Sequence, residues 1–229
     1  MNKKILIFVA THGDEKIGLY VKKELNKKFK KHPIKNGTVD FVVANPLALK
    51  KGVRFIETDL NRSFPGNIKG SHEEKIAAKL YKLVGRADIA IDIHSTKSAL
   101  KNALIVTKYD KTACEVVNMI KPENLLIMEV TKNTALISSA KTGIAFEYGK
   151  DRSAVVVKKV SDDILRLLSK LEMIELVQKE RNIVTKVFRV YDTFPKKIGE
   201  KLSDSIKNYC KVKKGSIVAR GKDYVVRAK

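Results

Sequence analysis

Two stretches of this chain leave little choice of fold. Residues 4–10, K-I-L-I-F-V-A, and residues 87–93, A-D-I-A-I-D-I, are apolar or nearly so without regular alternation. A strand with one wet face alternates, whereas a strand covered on both faces does not. Both runs have strand length, and both end near a histidine: His12 lies in the T-H-G-D-E turn after the first, and His94 directly follows the second. A third run, G-I-A-F-E-Y at 143–148, carries Glu147 near its end, and T-V-D-F-V-V-A at 38–44 is broken by Asn45-Pro46.

Helical spacing separates these strands. Ile17, Val21, Leu25 and Phe29 recur at four-residue steps with lysines on the other face. Ser71 and Glu74 form a capping box for a helix that turns Ile76, Leu80, Leu83 and Val84 inward and ends at Gly85. Strands at 103–107 and 125–130 flank a helix opened by Asp110 and closed before Pro122. A long helix from about Ser153 carries Val160, Ile164, Leu167, Leu168, Leu171 and Ile174 on one face. Strands alternating with helices predict an α/β fold with a largely parallel or mixed sheet covered on both sides. Residues 53–67 show no clean period and read as an irregular, functional loop. After about residue 182 come short segments, V-T-K-V-F-R-V-Y, N-Y-C-K-V-K-K, S-I-V-A-R and D-Y-V-V-R, separated by Pro195, Gly199, Gly215 and Gly221. They predict a small antiparallel β domain, dividing the chain into 1–182 and 183–229.

Composition narrows the function classes. A chain of 229 residues, 44% hydrophobic, can bury a large core. No apolar run approaches the length of a bilayer span, so no membrane partner is expected. The first apolar stretch is too short for a secretory leader. Cys114 and Cys210 stand in no metal-binding or redox spacing, which makes a reducing cytoplasm the default. Forty-seven Lys and Arg against 25 Asp and Glu give a net charge of +22, a field that attracts anions. The lysines are spread along the whole chain without interleaved aromatics, so they read as a solvated surface and no specific nucleic-acid partner is expected.

The polar residues at the strand ends carry the chemistry. In open α/β sheets, ligands bind beyond the carboxyl ends of the strands. His12 and Glu15 alone specify little. His94, ending a second buried strand, adds the third member of a His₂Glu set that suits Zn²⁺ with one coordination position left for water. Asp92, two residues before His94, lies on the same strand face and could orient it. His32 and His72 read as surface residues. Glu147 ends an apolar strand and must be solvated, paired or functional; beside a metal it could act as a general base. Arg54, Asn61 and Arg62, in R-F-I-E-T-D-L-N-R-S-F, offer donors to a carboxylate.

The ordered set H-G-D-E, N-P-L-A-L-K-K-G-V-R-F-I-E-T-D-L-N-R-S-F, D-I-H-S-T and F-E-Y-G resembles the succinylglutamate desuccinylase/aspartoacylase family, a branch of the zinc carboxypeptidase-like superfamily. The resemblance runs from His12 to about Gly149. It implies a three-layer catalytic α/β domain followed by a small C-terminal β domain. It also implies one Zn²⁺ per subunit, held by His12, Glu15 and His94. Glu147 would take a proton from the attacking water and hand it to the leaving amine. Arg54 would polarise the scissile carbonyl, and Asn61 and Arg62 would grip a carboxylate of the substrate. Tyr224, in G-K-D-Y-V-V, matches a tyrosine that reaches the cleft from the β domain. Aspartoacylase-like members carry a further arginine about ten positions before the catalytic glutamate. Here T-A-L-I-S-S-A-K-T-G has none, which argues against N-acetyl-aspartate and leaves Lys141 as the point charge in that region. The resemblance thus implies a deacylase of a small acidic N-acyl amino acid, with a metallocarboxypeptidase acting on peptide C-termini as the alternative. It leaves open a homo-oligomer.

Overall fold

The computed structural model describes residues 2–96, 102–131, 133–149, 151–191, 197, 199–207 and 210–228. The chain forms two units, Met1–Tyr191 and Asp192–Lys229. The first holds strands β1 (Lys4–Val9), β2 (Thr38–Val43), β3 (Ile89–His94), β4 (Ala103–Val106), β5 (Asn124–Ile127), β6 (Thr142–Glu147) and β7 (Lys186–Arg189). Its helices are α1 (Ile17–Lys31), α2 (Pro46–Lys51), α3 (His72–Val84), α4 (Lys111–Ile120) and α5 (Ala154–Lys170).

The seven strands form one sheet in the order β2-β1-β3-β6-β4-β5-β7. All neighbouring pairs are parallel except β4 with β6, so the sheet reverses direction once. The unalternating runs are explained by cover on both faces: β3 is buried at all six positions. Ile5, Ile7, Val9, Ile89, Ile91 and Ile93 pack with the apolar stripes of α1, α4 and α5. Leu6, Phe8 and Ala90 pack on the other face with Ala77, Leu80 and Val84 of α3 and with Leu136 and Ile137 of a short 3-10 turn. These are the three layers the pattern predicts. Each fully buried Ile or Leu contributes roughly 1.5–3 kcal/mol of hydrophobic stabilisation.

Local signals set the helix ends. The capping box at α3 is present in both directions, with Glu74 N–H donating to Ser71 Oγ and Ser71 N–H to Glu74 Oε2. Asp110 and Ser153 accept from Ala113 and Val156 at the starts of α4 and α5. Sequence reading did not resolve α2, although its signals are complete. Asn45 caps it, Pro46 takes the first helical position, and Gly52 closes it in the left-handed region at φ 66°. Helix α5 ends at Lys170, so Ile174 joins the core from beyond the helix.

The segment V-T-K-V-F-R-V-Y departs from expectation. Its central residues form β7, which runs parallel to β5 with Lys186 opposite Asn124 and Arg189 opposite Ile127. It therefore extends the large sheet, satisfying the outer backbone groups of β5, and belongs to the first unit. The second unit contains β8 (Lys201–Leu202), β9 (Ile217–Arg220) and β10 (Val225–Arg227), an antiparallel sheet in the order β10-β9-β8. The described part of N-Y-C-K-V-K-K, from Cys210 onward, forms no strand; Asn208, Tyr209 and the separator Pro195 lie outside the described residues. Among the described residues, no helix is long and apolar enough to cross a membrane.

Candidate metal centre and active site

Strands β1, β3 and β6 are neighbours and parallel, so their carboxyl ends open on one edge of the sheet. His94 is the last residue of β3 and stands directly beside Glu147, the last residue of β6. His12 and Glu15 arrive from the turn after β1. That turn is pressed against α2, where a Cβ on Gly13 would fall 2.1 Å from the Ala48 carbonyl carbon, and Gly13 N–H donates to the Arg54 carbonyl. The glycine in H-G-D-E thus permits a backbone approach that any side chain would block.

The two imidazoles lie 5.0 Å apart between ring centres. Both turn Nδ1 toward one carboxylate, with His12 Nδ1 2.9 Å from Glu15 Oε1 and His94 Nδ1 3.0 Å from Glu15 Oε2. His12, Glu15 and His94 offer ligand atoms that lie within 4.8 Å of one another, and each residue is largely buried. The opposite ring nitrogens are also held by carboxylates: His12 Nε2 meets Asp59 Oδ1 at 3.1 Å, and His94 Nε2 meets Asp92 Oδ2 at 2.7 Å. Two imidazoles and a carboxylate form a donor set that suits a divalent cation, and carboxylates behind ligand histidines fix ring orientation and raise basicity.

Burial pushes the Glu15 carboxyl up, but hydrogen bonds and charge from His12 and His94 outweigh it and hold the group below the usual carboxylate range. Burial disfavours charge on both imidazoles. The Asp59 and Glu15 contacts at His12, and the Asp92 and Glu15 contacts at His94, prevail and raise both above the ordinary value. Burial likewise lifts Asp59, but its contacts with His12 and Arg54 bring it down below its ordinary value. Glu147 goes the other way: burial lifts its carboxyl above the ordinary value, with the charges of Glu15 and Asp92 adding to the rise and those of His94 and His12 opposing it.

Arg54, about half exposed, donates to Glu15 Oε1 at 3.1 Å and to Asp59 Oδ2 at 3.4 Å. Asn61 accepts from Leu136 N–H at 2.9 Å, while its Nδ2 lies 3.4 Å from Asp92 Oδ2 and 3.2 Å from His94 Nε2. The asparagine is therefore engaged with the residues behind His94. Arg62 is exposed and donates to the Asn61 carbonyl. Two cavities meet here, both lined by Arg54 and Glu147. One, of about 690 Å³, is polar and also lined by Asp14, Glu15, Ser95 and Asp151. The other, of about 130 Å³, continues past Arg62 to Ile105, Met128, Ala135, Ile137 and Ala145.

Lys141 does not belong to this edge. It precedes β6, whereas Glu147 ends it, and six residues at roughly 3.3 Å each put almost 20 Å of strand between them. Its Nζ pairs with Asp88 Oδ1 at 3.0 Å, at the amino end of β3. A residue six positions before a strand's last residue cannot be placed at either end without the strand boundaries. Tyr224 lies in the second unit, where its hydroxyl donates to Glu200 and Lys197 Nζ stands 5.4 Å over its ring. Sequence reading missed Asp59. Its only signal was its position two residues before Asn61, where it also caps a short 3-10 turn by accepting from Asn61 N–H.

A mixed α/β sheet with a His₂–carboxylate cluster at the carboxyl ends of adjacent strands defines the class. The chain belongs to the succinylglutamate desuccinylase/aspartoacylase family: residues 1–171 match the succinylglutamate desuccinylase/aspartoacylase catalytic domain. A probable aspartoacylase of Acaryochloris marina is 35% identical over 113 residues, covering 45% of this chain and 38% of that protein. An N-acyl-aromatic-L-amino acid amidohydrolase (carboxylate-forming) of Xenopus laevis is 28% identical over 174 residues, covering 67% of this chain and 57% of that protein. The matched span is thus less than two thirds of the length of either relative. The fold is similar to that of succinylglutamate desuccinylase from Vibrio parahaemolyticus, with TM-score 0.77 and 18% identity, covering 100% of this chain and 75% of that one. It is also similar to murine aminoacylase 3, with TM-score 0.73 and 19% identity, covering 99% and 86%.

Proposed function

We propose that the protein is a zinc-dependent hydrolase that cleaves the amide bond of a small N-acyl amino acid, releasing a carboxylate and a free amino acid. The observation that carries this reading is the convergence of His12, Glu15 and His94 beside a buried Glu147. One Zn²⁺ held by that trio would supply Lewis acidity and lower the pKa of the attacking water. Glu147 accepts the water proton and delivers it to the amide nitrogen as the C–N bond breaks. Arg54 turns from Glu15 and Asp59 to the developing oxyanion, and Arg62 pairs with the substrate carboxylate. Asn61 holds Asp92 and His94 in place. The Tyr224 role rests on the family resemblance alone.

The smaller cavity refines the substrate. Its far wall is mostly apolar, with Thr107 as a polar member, and among the described residues Arg54 and Arg62 are the Lys or Arg side chains lining either cavity. This favours a short apolar acyl group with a single substrate carboxylate, rather than a second carboxylate on the acyl side. The +22 charge would steer such an anion to the cleft.

Metal analysis of the purified protein, paired with a panel of N-acetyl, N-succinyl and N-aroyl amino acids and short peptides, tests the reading. One zinc per chain and turnover of N-acetyl amino acids, abolished by chelation and restored by Zn²⁺, are expected. Turnover of peptides alone would favour the carboxypeptidase alternative, and no bound metal would end the hydrolase reading. Asp59→Ala tests the support behind His12. Removing the Nε2 partner is expected to weaken zinc binding about 10–100-fold in competition with a chromogenic chelator. A parental affinity in that variant would show that the Asp59 contact does nothing for the site.

A further inference from the structure

The loop carrying Arg54 and Asp59 has no regular secondary structure between Val53 and Asp59, yet it supplies two of the charged groups that surround His12 and Glu15. Something must hold it. Glu73, in the first turn of α3, is completely buried and has no cation as its partner in the contacts it makes. Its Oε1 accepts from Ile56 N–H at 2.7 Å and from Asn45 Nδ2 at 3.1 Å. Its Oε2 accepts from Glu57 N–H at 3.0 Å and from Thr58 N–H at 3.1 Å. Three consecutive backbone N–H groups therefore converge on one carboxylate.

The clamp is reciprocal. Glu57 Oε2 accepts the N–H of His72, one of the first amides of α3 that no helical carbonyl can satisfy. Thr58 and Ser71 join their hydroxyls at 3.0 Å. Asn45 links the same carboxylate to the cap of α2, the helix against which the His12 turn is pressed.

We infer that Glu73 is a positioning residue of the active site, a buried anion that sets the Arg54–Asp59 loop by gathering its amides and so places Arg54 and Asp59 against Glu15 and His12. A buried charge without a counter-ion persists only when hydrogen bonds replace its hydration, and here four donors do so. Burial pushes the Glu73 carboxyl up, and those donors outweigh it and hold the group below its ordinary value.

E73Q in the full chain tests this, since the amide keeps the shape, removes the charge and points a donor at other donors. Hydrogen exchange at the amides of Ile56, Glu57 and Thr58 should speed at least about tenfold. Zinc affinity should fall through the loosened Asp59, and kcat on N-acyl amino acids should drop about 10–100-fold with KM changed less, as for a small misplacement of a catalytic group. Parental exchange at those three amides overturns the inference. So does a lower Tm with zinc affinity, kcat and KM all parental, the signature of a merely structural role. The activity arm rests on the hydrolase reading. A wild-type protein that turns over no substrate counts against that reading alone, and exchange and zinc affinity still decide the role of Glu73. If E73Q does not fold, E73D takes the same measurements. It keeps the charge one methylene short of the amides, so faster exchange supports the inference and parental exchange overturns it.

Discussion

Glu147→Gln is expected to keep one zinc per chain and a parental melting temperature while losing about 10²–10⁴ of kcat, the range for removal of a general acid–base group. That loss is on the order of 3–5 kcal/mol of transition-state stabilisation. The physical reason lies in where the carboxyl sits. It ends β6 beside His94, and burial raises its proton affinity, so it is suited both to take a proton and to give it up. An amide of the same shape can do neither. Because Glu147 is not one of the three clustered ligand residues, metal content should not follow activity down. Turnover within a few-fold of the parent at full zinc occupancy would remove Glu147 from the mechanism. Loss of zinc along with turnover would instead make it part of the metal site.

Asp163→Ala is expected to cost about 3 kcal/mol of stability without touching the site chemistry. Asp163 is fully buried on α5. It pairs with Arg181 Nη2 at 2.6 Å and accepts the Tyr148 hydroxyl at 2.8 Å. Arg181 in turn donates to the carbonyls of Ile120 and Lys121 at the end of α4. Removing the carboxylate leaves a largely buried guanidinium without its anion and a buried hydroxyl without its acceptor, which is why the loss exceeds that of an exposed pair. Urea unfolding of the variant, with the parental m-value as a check on two-state behaviour, measures the cost. Asp163→Asn keeps the acceptor for Tyr148 and should lose less. An alanine variant as stable as the parent would mean that burying the pair costs as much as the pair returns.

The candidate site's arrangement was partly legible in the sequence. His12, Glu15, His94 and Glu147 each betray themselves as polar groups at the ends of apolar runs, and the structure places them on one edge. Lys141 shows the limit of that logic. Proximity in sequence to Glu147 says nothing about which end of β6 a residue occupies, and its partner Asp88 settles it at the far end. Segment 184–191 failed for a related reason. A short, mostly exposed strand fits a small sheet or the edge of a large one equally well, and only the open flank of β5 chose. Asp59 and Glu73 escaped notice because an acidic residue in a loop or a first helical turn has an ordinary local explanation, and their partners lie 47 and 15 to 28 positions away.

What this sequence determined alone is short in range: strands too apolar to have a wet face, helices with their caps, a strongly basic surface, and a family motif set. Periodicity and capping act over a few residues, so they survive without knowledge of the rest. Tertiary structure decided the order β1-β3-β6 that brings three strand ends together, the reversal at β4, and the Asp59 carboxylate that backs His12. Those arise from pairing and burial between segments tens of residues apart, where the free energy depends on the whole sheet at once and no local window contains it.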